Sequence, residues 1–196
     1  MFKDIVKPAL ILAIICTLFT GALAYVNGIT EPIIEENDRI AEQESLKSVF
    51  ADAQEFLEPI KADTLKAEGY EVSERIVKAY EAQKDGQAIG YVVEVSSRGY
   101  GGEIKMFVGI DKTQNITGVV LVSHSETPGL GAKGAEPKFK DQFVGAIPEK
   151  DFFIIKTAPS ADNEIQAISG ATITSRAVNS GVVDAVALVR SMAGGK

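Results

Sequence analysis

The chain has no tryptophan, one histidine and one cysteine among 196 residues. A lone Cys16 allows no disulfide within the chain. Cys16 and His124, far apart in sequence, cannot build a zinc or iron–sulfur centre from one chain. His124 has no nucleophile elbow near it, so no Ser-His-Asp array can be argued. Basic residues are also in deficit: 20 Lys and Arg face 27 Asp and Glu, a net charge of −7. They form no block and no basic–aromatic face, which argues against nucleic acid as a partner. There is no internal repeat and no low-complexity tract. What is present is a length suited to one soluble domain and little more, with 45% apolar residues to pack it.

Charge is missing altogether from residues 8–26. As a helix this stretch is roughly 28 Å long, close to the thickness of a bilayer's hydrocarbon core. Lys3 and Lys7 precede it. No Lys or Arg follows before Arg39, whereas Glu31, Glu35, Glu36 and Asp38 do. The positive-inside rule then puts the N-terminus in the cytoplasm and the following domain outside. A secretory signal peptide is the competing reading, with a basic start, an apolar run and Ala22-Leu23-Ala24 as an Ala-x-Ala site. Against it stands a ridge of small residues at Ala9, Ala13, Thr17 and Gly21, continuing near Ala24 and Gly28. Such a ridge lets a neighbouring transmembrane helix approach closely, although small residues are frequent in any membrane helix. Cys16 lies in the apolar run and reads as a small buried thiol.

The remainder reads as one α+β domain with a helical lead-in. Thr30-Glu31-Pro32 has the form of a helix start, a cap residue followed by a first-turn proline. A polar-faced helix is expected from residue 33 to about residue 50. Pro59 and Gly69 punctuate a connector. Strands are expected at 76–83, 88–96, 103–110 and 116–124, separated by turn signals, which makes an antiparallel meander. A short helix over 137–144 and a strand over 152–156 follow. From Val178 onward, Val182, Val186 and Val189 fall on one helical face. This C-terminal helix begins at or just after Ser169-Gly170-Ala171-Thr172, where free N–H groups and the helix dipole favour an anion. Taken alone, that tetrapeptide is also what a plain helix cap looks like.

The run Ser169-Gly170-Ala171-Thr172-Ile173-Thr174-Ser175, with Arg176-Ala177-Val178 after it, resembles the flavin-attachment motif of FMN-binding domains. Two further segments fit that family, Arg98-Gly99-Tyr100-Gly101-Gly102 and His124-Ser125-Glu126-Thr127-Pro128-Gly129-Leu130-Gly131. Together with the apolar N-terminus, the whole chain resembles the G subunit of Rnf-type ion-translocating electron-transport complexes. The resemblance implies FMN as cofactor, carried by Thr172 through a phosphoester, with Ser169, Gly170, Ala171, Thr174 and Ser175 around the attachment point. It further implies that the loop of Glu126, Thr127, Gly129, Leu130 and Gly131 lies against the flavin, and that Tyr100 touches it. Other membrane subunits of the complex, a flavin transferase for maturation and membrane lipid are the implied partners. Where many family members have Asp three residues before the Ser, this chain has Gln166, which keeps hydrogen-bonding capacity but loses the charge.

The implied division is a cytoplasmic N-terminus and transmembrane helix (1–28), a helical lead-in and connector (29–70) and an FMN-binding domain with an antiparallel sheet and a C-terminal helix (71–196). Such a protein passes electrons within a ferredoxin:NAD oxidoreductase complex and is not catalytic alone. Two alternatives stay open at this point. One is the related C subunit of Na⁺-translocating NADH:quinone reductase, usually longer. The other is a membrane-anchored extracellular binding or structural module without flavin. A third match misleads: Gly129-Leu130-Gly131-Ala132-Lys133-Gly134 fits G-x-G-x-x-G. A dinucleotide site needs those glycines to open a helix in a parallel βαβ unit, and Pro137 and the antiparallel strands speak against one.

Overall fold

The computed structural model describes the backbone of residues 2–193. Two compact units meet in sequence between Gln43 and Glu44. Helix α1 covers Phe2–Val49 without a break and contains both Pro8 and Pro32. The helix start expected at Thr30 is therefore absent. The Thr30 hydroxyl does not cap a following turn; it donates backwards to the carbonyls of Val26 (3.0 Å) and Asn27 (3.3 Å). A Ser or Thr that bonds back in this way is compatible with a continuous helix. Among the described residues one helix is long and apolar enough to cross a membrane, with a mean hydropathy of 2.3 over its most apolar window. Its large apolar side chains, Leu10, Ile14, Leu18 and Leu23 among them, are exposed. That is the state of a helix whose solvent is lipid.

The segment read as a connector carries structure of its own: β1 (Glu55–Phe56), β2 (Ile60–Lys61) and α2 (Ala62–Ala67). The four long strands are β3 (Ile76–Lys84), β4 (Gln87–Arg98), β5 (Glu103–Asp111) and β6 (Asn115–Ser123). They form the expected antiparallel meander, extended by β1 and β2 on β3 and by β7 (Gly145–Ala146) on β6. Asp85 and Gly86 both have positive φ, as a two-residue hairpin loop between β3 and β4 requires. The turn from β5 to β6 is tied by Asp111, whose Oδ1 accepts from the amides of Thr113 (2.8 Å) and Asn115 (2.9 Å). Beyond β6 come a 3₁₀ turn (Gly131–Ala135), α3 (Pro137–Lys140), a second 3₁₀ turn (Asp141–Phe143), and a small parallel pair, β8 (Phe153–Ile155) with β9 (Glu164–Gln166). The long final helix is α4 (Thr172–Ala193).

The meander is covered on both faces. Val178, Val182, Ala185 and Val189 of α4 pack on Val93, Val95, Met106 and Val108. The opposite face carries Val92, Phe107 and Tyr80, which bury Leu46, Val49 and Phe50 at the C-terminal end of α1. Two-sided burial explains why 106–110 is buried without alternation. Each fully buried Val or Leu contributes about 1.5–3 kcal/mol, so both seams matter. The α1 seam depends on close backbone approach. The Thr117 hydroxyl donates to the Val49 carbonyl (2.8 Å), and a Cβ on Gly118 would stand 2.9 Å from that same oxygen and 3.2 Å from Val49 Cα. These neighbours are backbone and cannot rotate away. Gly118→Val is therefore expected to destabilise the domain by about 1–3 kcal/mol, read as a lower midpoint in denaturant unfolding of the detergent-solubilised chain. An unchanged midpoint would mean that the end of α1 is not seated here.

Candidate functional site

The N-terminus of α4 is prepared by a tight turn. Gly170 sits at φ +78°, and the Ala171 amide donates to the Ile168 carbonyl (3.0 Å). Ser175, fully buried, clamps this turn from within the helix: its Oγ donates to the Ala171 carbonyl (2.9 Å) and accepts from the Ile168 amide (3.0 Å). The first helical hydrogen bond runs from the Ser175 amide to Ala171. The amides of Thr172, Ile173 and Thr174 precede it and have no acceptor within the helix.

Three segments converge on this helix end, and one carboxylate joins them. Glu126 is 6% exposed. Its Oε2 accepts from the Thr174 hydroxyl (2.7 Å), its Oε1 from the Gly101 amide (3.0 Å), and its own amide points at His124 Nδ1 (3.4 Å). The glycines around it leave room for the carboxylate. A Cβ on Gly99 would collide with Oε1 and one on Gly131 with Oε2. Between Glu126 and Gly131 the chain makes the expected turn, with the Leu130 amide donating to the Thr127 carbonyl (3.1 Å) and Gly129 at φ +77°.

These segments enclose a cleft of about 450 Å³, within the size range of small-molecule sites. Thr172, Gly170, Ala171 and Thr174 line it from the helix end, Glu126, Thr127, Leu130 and Gly131 from the loop, and Tyr100 from the β4–β5 turn. Ile173 also lines it, a residue the motif's chemistry does not single out. Its signal was a large apolar side chain at the second position of a helix, which here is 55% exposed. Tyr100 and Leu130 are likewise exposed apolar groups at the cleft. Among the described residues no Lys or Arg lines the cleft, and Glu126 is the one charged residue that does.

Not every residue expected at the site lies there. Ser175 is consumed by the turn, and Gly129 serves the turn of the loop without lining the cleft. Ser169 faces a different groove of about 220 Å³, beside Lys133, Lys138 and Gln166. His124 receives the Glu126 amide and does not line the cleft. The segment matching G-x-G-x-x-G opens a 3₁₀ turn after an antiparallel strand, so it lacks the helix and parallel unit a dinucleotide site needs.

The four hydroxyls of the motif are thus sorted by geometry. Thr174 is 1% exposed and bound to Glu126; Ser175 is locked; Ser169 looks elsewhere. Thr172 alone combines a place on the cleft, partial exposure and a hydroxyl that makes no hydrogen bond to the described residues. An attached phosphate would sit at free helix amides, next to Gly170 and Ala171, whose small side chains leave the backbone accessible. The arrangement fits a phosphate-tethered flavin: a helix end for the charge, an apolar rim for the ring, and a cleft of suitable volume.

Comparison with known proteins identifies the family. The FMN-binding domain family model matches residues 99–187, and the model for the RnfG N-terminal region matches residues 1–49. The G subunit of the Na⁺-translocating ferredoxin:NAD⁺ oxidoreductase complex of Acetobacterium woodii is 36% identical over 186 residues, covering 92% of this chain and 89% of that protein. The G subunit of the proton-translocating ferredoxin:NAD⁺ oxidoreductase complex of Clostridium ljungdahlii is 34% identical, covering 94% and 91%. The two relatives are named for different coupling ions. In fold, the chain is similar to the C subunit of the Na⁺-translocating NADH-quinone reductase of Parabacteroides distasonis, with a TM-score of 0.51 at 23% identity over 70% of this chain and 69% of that one.

The sorting of hydroxyls has a stability consequence. Ser175→Ala removes a buried donor and acceptor and is expected to cost about 1–3 kcal/mol, whereas Ser169→Ala on the surface should stay within about 0.5 kcal/mol. Denaturant midpoints of the two variants make the comparison. Equal midpoints would mean that Ser175 does not clamp the turn.

Proposed function

The chain belongs to the G-subunit family of Rnf-type ion-translocating ferredoxin:NAD⁺ oxidoreductase complexes, and on that premise we propose that it holds its flavin as a phosphoester of Thr172 on the extracytoplasmic side of the membrane. As a member of this family it is an electron-transfer component of a membrane complex, and its cofactor is FMN. The flavin supplies the redox chemistry; the protein places it and sets its surroundings. The observation that carries the assignment of Thr172 is its hydroxyl, which lines the cleft without a protein partner while its neighbours Thr174 and Ser175 are occupied.

The residues around it have separable tasks. The N-terminal amides of α4 and the helix dipole offset the negative charge left on a phosphodiester. Leu130, Ile173 and Tyr100 offer apolar surface to a ring and exclude water from it, while Thr127 offers polar groups at the same wall. A covalent tether suits an exported carrier, since lost FMN is not readily replaced outside the cell, and it holds the flavin near its partners at a high effective concentration. Loading requires a flavin transferase, for which Gln166 stands where an acidic residue is common. Residues 1–28 would supply the cytoplasmic N-terminus and the transmembrane helix, 29–70 the lead-in and connector, and 71–196 the flavin domain. Along the N-terminal helix, Gly21 and Gly28 have open space where a Cβ would be, consistent with close approach of a helix from a neighbouring membrane protein of the complex.

Two outcomes are expected. Thr172→Ala should abolish the fluorescent band seen under ultraviolet light after denaturing electrophoresis, while the denaturant midpoint of the unloaded protein stays within about 0.5 kcal/mol of wild type. A fluorescent band persisting in the variant would place the attachment elsewhere. For topology, a single cysteine at Lys150, an exposed position, in a Cys16→Ala background should react with an impermeant maleimide in intact cells. Labelling only after lysis would contradict the orientation.

A further inference from the structure

The buried carboxylate of Glu126 is more than a strut. It is 6% exposed and lines the cleft beside Thr172. Both of its oxygens lie within hydrogen-bond distance of a polar partner, the Gly101 amide at 3.0 Å and the Thr174 hydroxyl at 2.7 Å. Among the described residues no cation answers it: it makes no ion pair, and no Lys, Arg or His lines the cleft. Lys133 and Lys138, the basic residues nearest in sequence beyond the loop, line the groove on the Ser169 side instead. Among the described residues Glu126 is therefore the one acidic side chain on the cleft, and it is itself buried, where charges interact more strongly than in bulk solvent. Fixed charge near a flavin ring is one of the levers by which a protein tunes its electronics.

We propose that the Glu126 carboxylate is the fixed charge that sets the potential of the flavin in this cleft, holding it below the value the same cleft would give without that charge. This rests on the reading that FMN is tethered at Thr172. Reduction adds electron density to the flavin, and a nearby carboxylate raises the energy of the reduced form relative to the oxidised one. The geometry allows the charge to be removed alone. Gln in place of Glu126 keeps the shape, accepts from the Gly101 amide through its carbonyl, and donates its amide N–H to Thr174 Oγ1, which can accept as readily as it donates. Thr174→Val does the reverse: it keeps the charge and deletes one hydrogen bond.

The test is a redox titration of full-length, FMN-loaded protein, followed by flavin absorbance, for wild type, Glu126→Gln and Thr174→Val. Covalent loading at Thr172 is first verified for each by peptide mass. At a fixed ambient potential, Glu126→Gln should change the oxidised-to-reduced ratio about tenfold towards reduction, equivalent to about 59 mV for a one-electron couple. Thr174→Val should leave the potential unchanged or lower it. A shift in Glu126→Gln below about threefold, or an equal upward shift in Thr174→Val, overturns the proposal while leaving the attachment reading intact. If Glu126→Gln takes up no FMN while wild type does, Glu126 is a structural residue and the proposal falls. A wild-type protein without flavin on Thr172 sinks the attachment reading and the proposal with it.

Discussion

A carboxylate taken out of water must find donors close by, and the site is organised around that requirement. Glu126 finds them on two separate elements, at the Gly101 amide of the β4–β5 turn and at the Thr174 hydroxyl of α4. Removing either partner would leave a buried group unsatisfied, at a cost of about 1–3 kcal/mol, more when the group is charged. The bond therefore fixes the loop that begins at Glu126 against the turn and the helix at once. The glycines at 99 and 131 follow from the same constraint, because a Cβ at either would occupy the space of the carboxylate oxygens. The cleft is what remains between three segments pinned at one point.

With Thr174 pinned and Ser175 clamped, Thr172 is the motif's hydroxyl that lines the cleft without a hydrogen bond to the described residues. Side chains three apart on a helix share a face, whereas those two apart do not. Thr172 and Ser175 are three apart, yet Ser175 is held under the turn and Thr172 is open to the cleft. Thr174, two further on than Thr172, turns to the buried carboxylate. Under the proposed attachment at Thr172, these hydrogen bonds would themselves favour one threonine over its neighbours. The sheet supports this arrangement from below. At Gly181 of α4 a Cβ would stand 3.0 Å from Val95 Cγ1 and Ser97 Oγ and would have to displace the end of the Met106 side chain. Close packing here seats the helix, and with it the N-terminal amides, on the meander.

Much of the fold was legible because its signals are local. The four long strands are bounded by turn residues and fall within two residues of their expected limits. Strands of two or three residues, β1, β2, β7 and β9, escaped, since no periodicity can show in so short a run; pairing with β3, β6 and β8 creates them. Pro32 misled for a related reason. A cap-like Thr and a proline define a helix start when nothing precedes them, but here a long apolar helix already runs into them and Thr30 bonds back into it. At the site, composition and spacing led only to an anion-favouring helix end; the convergence of the other two segments came from family resemblance. The roles of Ser175, as clamp, and of Ile173, as apolar wall, needed the three-dimensional arrangement, because a hydroxyl's partner and a helix residue's outlook are not written in local sequence.

The central claim, that the unbonded hydroxyl on the cleft, Thr172, carries the flavin, is tested most directly by fragmentation mass spectrometry of the peptide around residue 172 from protein purified from its native host. The account predicts a single FMN phosphoester on Thr172, with Ser169, Thr174 and Ser175 unmodified. Flavin on Thr174 or Ser175, or a peptide carrying no flavin in a host that makes the whole complex, would contradict it.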